Sequence, residues 1–164
     1  MQRLFDLNIE QVLENWSVAD ALREIIANAL DEQVLSGTDP IHIFKDQDSI
    51  FHIRDFGRGI QYYHFTQNEN EEKQKSNNLI GKFGVGLKDA LAVLYRHNCE
   101  VKICSKYNFI TTKMAQKSGF DIETLHAEFS TTNNREMIGT EFFISNISDD
   151  DIQEAKSRFL ISRG

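Results

Sequence analysis

The chain has 164 residues, with 18 basic and 25 acidic side chains, a net charge of −7 and 40% hydrophobic residues. That length and composition suffice for one core without covalent staples and exclude collagenous, disulfide-scaffold and wholly disordered chains. The acidic balance argues against direct binding of nucleic acid or an anionic membrane surface, and no apolar run approaches the roughly 20 residues that span a bilayer. The residues from Met1 to Asp6 show no signal-peptide apolar region. Cys99 and Cys104 have no metal-ligand spacing around them and read as reduced thiols, which suits the cytosol, or the nucleus of a eukaryote. A single domain over residues 1–164 is expected.

Asn8 to Trp16 reads as a short helix, with Ile9, Val12, Leu13 and Trp16 on one face. A stronger helix follows. Ser17 is its N-cap and Gly37 its stop, with VADALREIIANALDEQVLS between them. Ile41–Lys45 and Ile50–Asp55 read as strands, and the polar Asp46-Gln47-Asp48-Ser49 as the turn of their hairpin. Thr66 to Asn78 contains thirteen residues without an aliphatic or aromatic side chain. It cannot contribute to a core, so it is a surface insertion or a mobile flap over a site. Gly81-Lys82-Phe83-Gly84-Val85-Gly86 then leads into the helical run LKDALAVLYRH. Glu100–Ser105, Phe109–Ala115, Leu125–Ser130 and Thr140–Ser145 alternate as strands. Asp149 to Leu160 closes as a helix, with three acidic residues where the helix dipole favours them.

The residues able to carry chemistry fall into four groups. Glu24, Asn28 and Asp31 are spaced i, i+4, i+7 on one helix, within about 60° of one another. The bland account is a solvated polar face. Against it, Ala21 and Ala27 border the stripe and leave room for a ligand. Asp55-Phe56-Gly57-Arg58-Gly59 ends a strand with a carboxylate, and two glycines there let backbone approach a flat ligand. Gly81-x-x-Gly84-x-Gly86 opens a helix whose free N–H groups suit phosphate. It matches neither the dinucleotide fingerprint nor the P-loop pattern. Gly139-Thr140 enters a late strand. The five histidines are scattered and read as structural or surface residues.

Taken in order, the four groups resemble the boxes of the GHKL ATPase superfamily, which includes DNA gyrase B, the large heat-shock chaperones, histidine kinases and mismatch-repair MutL. The resemblance runs from about Asn8 to Asn146. It implies a Bergerat fold: an α/β two-layer sandwich, its sheet mixed but mostly antiparallel, with helices on one face and a flexible ATP lid at about residues 61–80. It implies ATP and Mg²⁺ as ligands. Glu24 is then the general base and Asn28 the Mg²⁺ ligand. Asp55 accepts the adenine amine, with Thr140 supporting it through a water. Gly57 and Gly59 admit the base. Gly81, Lys82, Gly84, Val85 and Gly86 hinge the lid and face the phosphates. Asp31 belongs to the first box with a lesser role. The second glycine box, G-K-F-G-V-G-L-K, is closest to the heat-shock-chaperone and microrchidia-type members. Those ATPases take a phosphate-contacting lysine from a following domain, and Lys88 is the substitute expected here.

The function these residues imply is ATP binding and hydrolysis, slow in the isolated domain, with nucleotide state controlling lid order and partner contacts. The partners implied are a protein or further domains of a longer chain, and an ATP-linked homodimer. Two alternatives stand beside it: a small serine/threonine kinase of the anti-sigma-factor type, and a nucleotide sensor without turnover.

Overall fold

The computed structural model describes residues 2–6, 15–59, 85–116, 119, 121–131 and 136–159. The expected lid, and Gly81, Lys82 and Gly84 with it, lie outside the described residues, as does most of the expected first helix. Trp16 is described, and packs partly buried against the core just ahead of the helix cap rather than within a helix.

In chain order the elements are β1 (Gln2–Asp6), α1 (Val18–Ser36), β2 (His42–Lys45), β3 (Phe51–Asp55), α2 (Val85–Arg96), β4 (Val101–Ser105), β5 (Asn108–Gln116), β6 (Glu123–Thr131), β7 (Thr140–Ile144) and α3 (Asp149–Ser157). The strands form one seven-stranded sheet ordered β1-β6-β5-β4-β7-β3-β2. Every pairing in it is antiparallel. The expected sheet was mixed but mostly antiparallel; among the described residues it is antiparallel throughout. β2–β3, β4–β5 and β5–β6 are chain neighbours, which pair antiparallel through short connections. β7 then inserts between β3 and β4 and runs against both.

Helix α1 begins and ends where its local chemistry requires. The Ser17 side chain accepts from Asp20 N at 3.2 Å, and the Asp20 carboxylate accepts from Ser17 N at 2.8 Å. This reciprocal box satisfies donors that the first turn leaves without partners. Gly37 ends the helix with φ 59°, the left-handed conformation that glycine adopts without a Cβ penalty. Asp46 makes the β2–β3 turn, its Oδ1 accepting from Asp48 N at 2.8 Å and Ile50 N at 3.1 Å. α3 carries its own capping box on Ser148 and Asp151 and ends at Ser157, short of Leu160.

The helices pack on one side of the sheet. The core joins Leu22, Ile25 and Ile26 of α1, Leu91 and Leu94 of α2 and Ile152 of α3 to Ile53, Ile103, Ile110, Phe129 and Phe142 of the sheet. α1 lies against α2, α3 and β3. Arg158 Nη1, just past α3, pairs with Asp20 Oδ1 at 2.8 Å and ties that helix to the start of α1. The other side of the sheet carries alternate residues such as Phe44, His52, Arg54, Cys104, Phe109, Glu141 and Phe143, none as deeply buried as the core. Cys99 belongs to the core and Cys104 to that outer side, and both are free thiols. No helix among the described residues is long and apolar enough to cross a membrane.

Candidate functional site

Helix α1 supplies one wall of the site. Its polar stripe is not a solvated face: Asn28 is 7% exposed and Asp31 only 1%, between fully buried Ala21 and Ala27. Burying such groups is tolerated because they are partnered, and both make contacts within the molecule. Glu24 is partly buried and takes its ion pair from Arg23 Nη1 at 2.8 Å.

α2 starts at Val85, two residues ahead of the expected run, so Gly86 lies inside its first turn. Gly86 presses directly on Glu24. A Cβ there would collide with Glu24 Oε2 and stand 2.9 Å from its Cδ. The last glycine of the Gly81–Gly86 motif and the carboxylate of the first group, far apart in sequence, are therefore in contact. Lys88 sits half-buried in the same turn. Asp89 beside it completes an acidic pair with Glu24 that the sequence reading missed. Burial pushes the Asp89 carboxyl above its ordinary range; Lys88 offsets this in part, and the Glu24 charge pushes it further up.

The second wall is the end of the sheet. Along the helix-facing side, β3, β7 and β4 present matched rows: Ile53, Phe142 and Ile103, then Asp55, Thr140 and Ser105. The first row is apolar core. The second is polar and equally buried, with Asp55 2%, Thr140 4% and Ser105 2% exposed. Asp55 Oδ1 accepts from Gly57 N at 2.9 Å, which turns the chain sharply after the strand. Ser105 Oγ accepts from Tyr107 N at 3.2 Å and Asn108 N at 3.1 Å.

Gly139 makes this row possible. Its φ is 80°, and a Cβ there would land on the carbonyl oxygen of Asp55 and 2.7 Å from Phe56 Cα. Any side chain would lift β7 away from β3. Gly59 approaches the same point: its own Cβ would stand 3.3 Å from Gly139 O and 3.5 Å from the Tyr107 ring.

A second feature missed in the sequence joins the two walls. Glu32 of α1, 7% exposed, receives Arg58. Its Oε1 accepts from Arg58 N at 3.3 Å and Nε at 3.2 Å, and its Oε2 from Nη2 at 2.8 Å. Two contacts through a guanidinium and one through backbone fix the Asp55–Gly59 loop to the helix. Gly57 lies beneath this clamp, where a Cβ would stand 2.9 Å from Glu32 Oε1. The signal was present as an acid and a base of opposite sign, but nothing local links two residues 26 apart.

Of the residues singled out in the sequence, the structure thus brings together Glu24, Asn28 and Asp31 on one helix with Gly86 against Glu24, and Lys88 in the same turn of α2 as Gly86. Asp55, Gly57, Gly59 and Thr140 gather at the far end of α1. The arrangement offers buried oxygen acceptors, a helix N-terminus and backbone made accessible by glycine.

No protein-family model matches the chain. It is similar to an uncharacterized protein of Mycoplasma pneumoniae, with 43% identity over 162 residues that cover 96% of this chain. The chain spans 66% of that relative's length.

Proposed function

We propose that the chain is a Mg²⁺-dependent ATP-binding and hydrolysing module of the GHKL type, with the Bergerat fold. The observation that carries this reading is the buried Asp55–Thr140–Ser105 row beside two close-approaching glycines. A carboxylate buried at the end of a strand, with Gly57 and Gly59 beside it, suits a flat base that offers an exocyclic amine. Guanine presents a carbonyl at that position, so Asp55 would select adenine.

From there α1 leads towards Asn28 and Glu24, rising about 1.5 Å per residue. Among the described residues no cluster of His, Cys, Asp or Glu forms a metal cage. A hard cation would instead rest on the Asn28 amide oxygen together with phosphate oxygens and water, and the donor set fits that use. Bound Mg²⁺ would supply positive charge to the phosphates. Glu24 would take a proton from the attacking water, a role that suits a carboxylate whose ion pair is with its own sequence neighbour. Gly86 keeps the α2 N-terminus close to that carboxylate. Lys88 would add positive charge in the same turn. A further domain or a second copy supplying more positive charge belongs to the same proposal.

The test is calorimetry with ATP and GTP alongside phosphate release. Wild type binds ATP much more tightly than GTP. Asp55→Ala loses about 1–3 kcal/mol of ATP binding, roughly fivefold to 150-fold. Glu24→Gln keeps binding and loses turnover by about 10²–10⁴. Equal affinity for GTP refutes the adenine role of Asp55. Unchanged turnover in Glu24→Gln refutes the general base. Label on a partner protein instead of in solution makes the module a kinase, and tight binding without release makes it a sensor.

A further inference from the structure

The outer side of the same two strands carries an ionic group, built round a buried histidine, that the site does not use. His52 is 8% exposed. Its ring stacks on Phe44, with centroids 4.5 Å apart, and meets the edge of Phe143 at 4.7 Å. Its Nδ1 lies 2.7 Å from Glu141 Oε2 and its Nε2 2.7 Å from Asp46 Oδ2. The other Asp46 oxygen already holds the hairpin turn. Glu141 Oε1 accepts from Arg54 Nη1 at 3.3 Å, and Arg54 Nη2 donates to Ile138 O at 3.1 Å.

A neutral imidazole has one N–H, and an ionised carboxylate only accepts. Two carboxylates at hydrogen-bond distance from both ring nitrogens are satisfied only when the group holds one proton more than the neutral ring. Without it, a nitrogen lone pair of a ring itself mostly closed to water faces a carboxylate oxygen. The group joins the β2–β3 turn, β3 and β7. Its members Arg54 and Glu141 lie opposite one another in register, and the next pair along is Asp55 and Thr140.

We infer that His52 is a positioning residue, a proton-held clasp on the outer side of β3 and β7 that sets Asp55 against Thr140 on the inner side. This rests on the nucleotide reading of that row, and makes ATP affinity fall when the clasp opens. The groups facing the ring are Asp46 from the turn, Phe44 from β2, and Glu141 and Phe143 from β7. Arg54 reaches Glu141 from β3, and Cys104 of β4 lies opposite Glu141 in register. Lys45 is engaged elsewhere, with Asp149 at 3.1 Å.

Burial alone would push the imidazole down, but its hydrogen bonds to the Asp46 and Glu141 carboxylates, and their charges, outweigh it and raise it above 6.5. The same contact with His52 holds the Asp46 carboxyl below its ordinary range. The sign follows: a raised histidine gives its stabilisation in full below about pH 6.5, and loses it as pH rises through the higher folded value.

The experiment is nitrogen-15 NMR of the His52 ring across pH 5 to 9 without nucleotide, with amide-exchange protection of β3 and β7 and ATP calorimetry at both ends. In wild type the ring titrates above 6.5. Protection at Asp55 and Thr140 drops above that midpoint, and ATP affinity falls about fivefold. His52→Gln shows the weaker affinity at every pH. Glu141→Gln, which keeps the shape of the side chain, lowers the His52 midpoint. Titration at or below 6.5 overturns the clasp. A raised midpoint with unchanged protection at Asp55 and Thr140 overturns its link to the site. If ATP binds at neither pH, the nucleotide reading fails, while the clasp still stands or falls on ring titration and protection.

Discussion

Glu24 and Glu32 are the same side chain on one helix, about 12 Å apart along its axis, and each is pressed against a glycine from another element. Their surroundings differ. Glu32 is held by Arg58 through three contacts from a loop 26 residues on, so both its oxygens are committed to fixing that loop. Glu24 pairs with Arg23, its neighbour in sequence, and so is not tied by that pair to a second element. A second carboxyl, Asp89, adds repulsion near it. A carboxylate tied between elements is structural. One packed at a helix start, with a local partner and a like charge close by, is available for chemistry.

Adding one methyl group at each glycine sharpens the contrast. At Gly57 a Cβ would meet Glu32 Oε1 at 2.9 Å, Glu32 Cβ at 3.1 Å and Asp55 Oδ1 at 3.3 Å. Neither carboxylate is free to swing, one being held by Arg58 and the other by the turn after β3. Gly57→Ala is therefore expected to cost about 1–3 kcal/mol, as overpacked sites do, and to weaken ATP binding with it. Urea unfolding and calorimetry measure the two. A neutral substitution would show that the Glu32–Arg58 clamp is slack.

At Gly86 the added Cβ would strike the far end of Glu24, a flexible side chain whose ion pair can move with it. The backbone there is helical, where alanine is favoured over glycine by up to about 1 kcal/mol. Gly86→Ala is expected to leave the urea midpoint nearly unchanged or slightly raised. It would displace Glu24, lowering phosphate release towards the level of Glu24→Gln while ATP still binds. A large loss of stability instead would make Glu24 a structural residue like Glu32 and erase the contrast.

These differences mark what could be read in the sequence. The bounds of α1 were legible because their causes are local: Ser17 and Asp20 within one turn, and Gly37 at the stop. The β2–β3 turn was legible in Asp46 for the same reason. The contacts that decide roles are not local. Glu32 meets Arg58, Glu24 meets Gly86, and His52 meets Glu141, 89 residues away. β1 went unread because five residues at a sheet edge carry little pattern, and only pairing with β6 defines them. The polar stripe Glu24–Asn28–Asp31 could be read as solvated because helical period tells which residues share a face. It does not tell whether water or protein covers that face.

The smallest effect sharpens the contrast electrostatically. Asp89 is part-buried just past the first turn of α2, where burial pushes its carboxyl up, Lys88 pulls against it and the Glu24 charge adds to the rise. A carboxyl raised in the folded state above its ordinary 3.8 weakens the fold once it ionises. Asp89→Asn keeps the shape and removes that charge. It is expected to raise the urea midpoint slightly at neutral pH. The gain should shrink as pH falls through the folded value of Asp89 and vanish below about 3.8, where the wild-type carboxyl is protonated in both states. Exposure and the nearby Lys88 keep the effect small. A gain that persists at low pH would mean the amide packs better for reasons unrelated to charge. A loss at neutral pH would mean that the Asp89 carboxylate serves Lys88 more than it opposes Glu24, so Glu24 would stand without the repulsion that sets it apart from Glu32.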